Sequence, residues 1–99
     1  MSKENNILKR KIDSLREIIK KNPNDVEARI ELGVFMLALR QFNAAEAEFR
    51  EVLKINPNCA EAHGLLGDTL VGVGYPRRQI EAEFREAIRL APNSAVVRY

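Results

Sequence analysis

Three segments of this chain repeat one pattern at a near-constant interval. Leu15-Arg16-Glu17-Ile18-Ile19-Lys20 leads into Asn22-Pro23-Asn24, Phe49-Arg50-Glu51-Val52-Leu53-Lys54 into Asn56-Pro57-Asn58, and Phe84-Arg85-Glu86-Ala87-Ile88-Arg89 into Ala91-Pro92-Asn93. The prolines are 34 and then 35 residues apart. A unit of that length cannot bury its own apolar face, so successive copies must stack into one continuous core. The 99 residues are therefore read as a single stacked domain, with no room for a second.

Within each period the apolar spacing is helical. Leu8, Ile12, Leu15 and Ile19 form one stripe at steps of four, three and four, flanked by Ile7 and Ile18, which places a helix over 7–19. It stops at Asn22-Pro23, because a residue before proline is pushed out of the helical region. A second pattern runs from Val26 to Leu39 and breaks at Arg40-Gln41, and a third runs from Phe42 through Ala45, Phe49, Val52 and Leu53. Ala60 to Val73 repeats the second pattern; after a break at Gly74-Tyr75-Pro76, residues Ile80, Phe84, Ala87 and Ile88 repeat the third. Gly74 supplies a helix stop and Pro76 a helix start. The residue that lengthens the second period falls in this turn. Asn24 with Glu27, and Asn58 with Glu61, read as capping boxes, and Asn93 opens a further helix with Val96 in the acidic slot.

The period and these residues resemble the tetratricopeptide repeat, whose signature combines a Trp, a Leu-Gly pair and a Tyr on its first helix with an Ala, a Phe and a closing Pro on its second. Leu32-Gly33 and Leu66-Gly67 supply the pair; Ala45, Phe49 and Pro57 complete one copy, and Ile80, Phe84 and Pro92 the other. The Trp slot holds Arg29 and His63, and the Tyr slot Met36 and Leu70. The resemblance implies an all-α, right-handed solenoid of antiparallel helix pairs: a half-repeat over 1–23, repeats over 24–57 and 58–92, and the start of another over 93–99. It also implies that small Gly33 and Gly67 let paired helices approach while Phe49 and Phe84 fill the space between pairs.

In that family the first helices of successive repeats line a concave groove for a peptide or helix. Carried over residue by residue, the groove comprises Glu27, Ile30, Val34, Leu37 and Ala38 in one repeat and Glu61, Gly64, Asp68, Val71 and Gly72 in the next. The clamp with which one subset of the family grips a C-terminal carboxylate needs Lys, Asn and Arg at inner positions where this chain has Ile30, Val34, Gly64 and Asp68. Such a clamp is not expected here.

Charge and composition argue against other classes. The net charge of +2 divides into +4 over residues 1–21, where seven basic side chains meet three acidic ones, and −2 over the remainder, where nine meet eleven. Lys9, Arg16 and Lys20 form an outward stripe on the first helix, near Arg10 and Lys11. Without interleaved aromatics this reads as a solvated face rather than a nucleic-acid site. His63 is the sole histidine and stands where the family has a large aromatic, so it reads as packing rather than as a metal ligand or proton-transfer group. Cys59 is the sole cysteine, which excludes an internal disulfide and reads as an ordinary small residue between repeats. No phosphate loop, metal motif or catalytic serine elbow is present, and Gly72-Val73-Gly74 closes a helix instead of opening one. The expectation is a cytoplasmic, non-enzymatic chain without signal peptide, spanning segment or cofactor.

Three functions remain in order of support. The first is a protein-interaction scaffold using the groove. The second is self-assembly through Ile80, Phe84, Ile88 and Leu90 on the last long helix, which the short segment 93–99 covers only in part. The third is an electrostatic binder using the basic first helix.

Overall fold

The computed structural model describes residues 3–91, and these form five helices: α1 (Lys3–Lys21), α2 (Val26–Ala38), α3 (Phe42–Ile55), α4 (Ala60–Val73) and α5 (Arg77–Leu90). There is no strand among the described residues. Each helix packs on the next in chain order, and α2 also touches α4. The result is two antiparallel pairs, α2 with α3 and α4 with α5, preceded by α1. The expected start of another repeat at 93–99 lies outside the described residues.

The core follows the repeat signature. Ile12 and Leu15 of α1, Ala28, Leu32 and Met36 of α2, Ala45 and Phe49 of α3, and Leu66 and Leu70 of α4 form one buried cluster. Ile30, Val52 and Ala62 form a second beside it. Phe49, Val52, Leu66 and Leu70 are essentially without solvent contact, and a fully buried side chain of this size contributes about 1.5–3 kcal/mol. Thr69, equally buried, satisfies its hydroxyl by donating to the Leu65 carbonyl one turn back, at 2.7 Å.

Gly33 and Gly67 are where the helix pairs close up. A Cβ at Gly33 would lie 2.5 Å from the Phe49 ring, and one at Gly67 2.8 Å from the Phe84 ring. Only glycine admits an aromatic ring so near the helix backbone. Gly72 does the same for Phe42 across the α3–α4 contact.

The helix starts differ from the sequence expectation. Asp25, not Asn24, caps α2, accepting from the Ala28 amide at 3.0 Å. Cys59, not Asn58, occupies the cap of α4 and makes no side-chain bond there; Asn56 instead accepts from the Asn58 amide at 3.2 Å. The reason is the turn after each proline, closed by Asp25 N–H to the Asn22 carbonyl and by Cys59 N–H to the Asn56 carbonyl. It consumes the asparagine as a turn residue and shifts the helix start one position on.

The intra-pair turns also differ from each other. Gly74 ends α4 in the left-handed region at φ 100°, as a glycine can. At the end of α2 the left-handed residue is Arg40, at φ 59°, with its guanidinium 5.5 Å above the Phe42 ring. In the longer second turn Pro76 caps α5 and the Tyr75 hydroxyl donates to Glu46 of α3 at 2.8 Å. Arg50 donates to the same carboxylate oxygen at 2.8 Å.

Candidate interaction face and the repeat clasps

The groove candidates all lie on α2 and α4, which the fold brings side by side. Glu27, Val34, Ala38, Glu61, Asp68, Val71 and Gly72 are exposed, and Leu37 and Gly64 are partly buried. Ile30 is not available: it is buried against Val52 and Ala62, because its side of α2 faces the next pair. The inward sides of Gly64 and Gly72 face Ala87 of α5 and the Phe42 ring of α3, so both glycines serve packing as well as the open face.

Val34 and Val71 are the exposed large apolar residues among these candidates, at 41% and 58%. They matter because α2 and α4 otherwise turn most of their large apolar side chains inward. The acidic residues of the two helices, Glu27, Glu31, Glu61 and Asp68, are all exposed. The basic side chains of the same two helices are not free. Arg29 and His63, the two residues in the Trp slot, are committed to a carboxylate of their own repeat and to the proline carbonyl that closes the preceding one.

These commitments form matched clasps. Arg29 donates from Nε to the Pro23 carbonyl at 2.8 Å and from Nη1 to Glu48 of α3 at 2.9 Å. His63 spans the equivalent partners: Nε2 lies 2.9 Å from the Pro57 carbonyl and Nδ1 2.7 Å from Glu83 of α5. The two side chains are shielded alike, at 14% and 13% exposure. Sequence reasoning assigned His63 to packing alone and missed the polar partners. The signal was present in the recurrence of the pair Arg29 and Glu48 as His63 and Glu83, one repeat further along the chain.

Two recesses border the face. One, of about 260 Å³, lies between α1 and α2 and is lined by Arg10, Lys11, Ser14, Leu15, Glu31 and Phe35. Another, of about 410 Å³, lies at the start of α3 beside Gly72 and Val73. Lys9, Arg16 and Lys20 are exposed on α1. The described residues contain no cluster of three or more His, Cys, Asp or Glu side chains arranged to hold a metal. Among them, no helix is long and apolar enough to cross a membrane.

The last of the described helices, α5, is packed less completely than its counterpart α3. Phe49 and Val52 of α3 are buried, whereas Phe84 and Ala87, their equivalents in α5, are only partly so, and Ile88 is 58% exposed. Ile80 and Leu90 are also partly exposed. The difference arises because α3 lies between α2 and α4, while α5 contacts α4 alone among the described helices.

Stacked antiparallel helix pairs of nearly equal length, each closed by a glycine-aromatic contact, define a helical-repeat protein. The tetratricopeptide repeat profile matches residues 12–68, more than half of the chain, and the chain belongs to that family. Its fold is also that of MamA in two crystal structures. One is 22% identical with a TM-score of 0.76, over 86% of this chain and 49% of that one. The other is 22% identical with a TM-score of 0.73, over 89% and 48% respectively. The chain thus spans about half the length of these MamA chains. No curated protein sequence matches it.

Proposed function

We propose that this chain is a non-enzymatic interaction module that receives a basic, partly apolar segment of a partner protein on the face formed by α2 and α4. The observation that carries this reading is the pairing of exposed Val34 and Val71 with a surround of exposed Glu27, Glu31, Glu61 and Asp68. Aliphatic surface supplies the driving force of association, and the acidic side chains of α2 and α4 favour a basic ligand and steer its approach. Arg29 and His63 do not neutralise that rim, since both side chains are engaged by Glu48 and Glu83. Membership of a family of repeat scaffolds supports the same reading.

The test is co-purification of partners with the chain and with a Val34→Glu, Val71→Glu double variant. A groove partner is expected to be lost from the double variant while the far-ultraviolet circular dichroism stays unchanged. Retention at undiminished affinity moves the site off this face.

A second reading, self-association through α5, is favoured by the incomplete cover of Ile80, Phe84, Ile88 and Leu90. Burying a few such side chains is worth about 1.5–3 kcal/mol each, enough to bring copies together at accessible concentrations. Light scattering is expected to report a mass that rises with concentration and falls back to the monomer in Ile88→Lys. A monomeric mass up to about millimolar concentration, the range of weak association, removes this reading.

A further inference from the structure

We propose that His63 is a proton-operated clasp that docks α5 on α4, so that the second repeat is held by a titratable version of the bond that Arg29 makes permanently in the first. The geometry that carries the inference is the pair of acceptors facing the imidazole: a carboxylate oxygen of Glu83 at Nδ1 and the Pro57 carbonyl at Nε2. A carbonyl oxygen cannot donate. Both contacts are hydrogen bonds at once only if both ring nitrogens carry protons, which is the imidazolium. The neutral ring has a single N–H and must turn a lone pair toward one of the two oxygens.

Arg29 gives the internal comparison. Its guanidinium donates to the equivalent carbonyl of Pro23 and to the equivalent carboxylate of Glu48, at nearly the same exposure, and it stays charged at every relevant pH. One fold position therefore meets a carbonyl and a carboxylate in both repeats, and only the second is filled by a residue that can lose its charge near neutrality.

The groups around His63 favour the charged form. Glu83 contacts it directly from α5, and Glu86 of the same helix adds a longer-range attraction while being itself paired to Arg89. From α3, Arg50 and Lys54 share with Glu83 a recess on the α3–α5 side, and Arg50 is itself paired with Glu46. From the turn, Cys59 contributes its backbone carbonyl to the His63 amide. Partial burial opposes protonation, but the bonds to Glu83 and the Pro57 carbonyl, with the charges of Glu83 and Glu86, outweigh it and raise the imidazole pKa above its ordinary value.

The sign follows from linkage. A histidine whose folded pKa exceeds its unfolded one gives stability that is fully present below the unfolded value, near 6.5, and is lost as pH rises through the folded value. The device thus weakens α4–α5 docking as the medium becomes alkaline. Because the close backbone contacts of α5 among the described helices are with α4, the loss falls on that attachment.

The experiment follows thermal or denaturant midpoints from about pH 5.5 to about pH 8.5, across the ordinary histidine range, for the wild-type chain, His63→Arg and His63→Gln. The wild-type midpoint is expected to shift downward relative to that of His63→Arg as pH rises, and His63→Gln is expected to lack that shift. As His63 is the only histidine, its imidazole proton resonance titrates without ambiguity in the unmodified chain. It is expected above the ordinary histidine pKa and to move down in Glu83→Gln. Parallel midpoint curves for wild type and His63→Arg, or a resonance titrating at or below the ordinary value, overturn the proposal.

Discussion

Replacing Phe49 by Ala is expected to destabilise the chain by about 3–5 kcal/mol, the range for deleting a buried aromatic that its surroundings cannot collapse to fill. Phe49 has no solvent contact, and its ring lies against Gly33 on one side of a cluster that includes residues of α1, α2 and α4. The cavity would open where three helices meet, which leaves no single neighbour able to close it. Against the roughly 5–15 kcal/mol that a small domain has in total, the variant is expected to sit at or near the edge of folding. Its thermal midpoint should fall by on the order of 15–30 °C. A midpoint within a few degrees of wild type would show that the ring does not hold the pairs together.

The converse substitution, Gly33→Val, fills space that is already taken and is expected to cost about 3 kcal/mol, the upper part of the usual overpacking range. Its Cβ would arrive 2.5 Å from a ring that has nowhere to move. Gly67→Val is the informative partner. Its Cβ would come nearly as close to Phe84, at 2.8 Å, but Phe84 is only partly buried and can swing toward solvent. Denaturant titration of the two variants is expected to show a clearly larger loss at Gly33 than at Gly67. Equal losses would mean that α5 is held as tightly as α3.

The fold was legible because its determinants are periodic. Leu32-Gly33, Leu66-Gly67, Phe49, Phe84 and the prolines recur at one interval, and the structure places them in the contacts that their types imply. What the sequence concealed were features decided by one or two residues of local geometry. The turns after Pro23 and Pro57 moved the caps from Asn24 and Asn58 to Asp25 and Cys59, a choice that hangs on a single backbone hydrogen bond in each turn. Arg40 adopts a left-handed conformation without glycine to announce it. Of the groove candidates, Ile30 was lost to the core because the helical stripe meant for solvent and the stripe meant for the next pair overlap at that position. Arg29 and His63 were hardest to read, since a slot that the family fills with an apolar ring is here filled by polar side chains with partners 19 and 20 residues away.

The single attachment of α5 has a consequence for motion. In a linear stack each element is held by its nearest neighbours, so the free energy needed to release one element depends on how many neighbours it has. Among the described helices, α3 has close backbone contacts with both α2 and α4, whereas α5 has them with α4 alone. Among the described helices, brief openings are therefore expected to be ordered in space, with α5 lifting from α4 more often than α3 leaves the stack. Each such event uncovers the outer side of α4 at Gly67, where the Phe84 ring normally rests. Backbone amides in α5 would trade protons with solvent through these excursions, while those of α3 wait for the collapse of the entire stack.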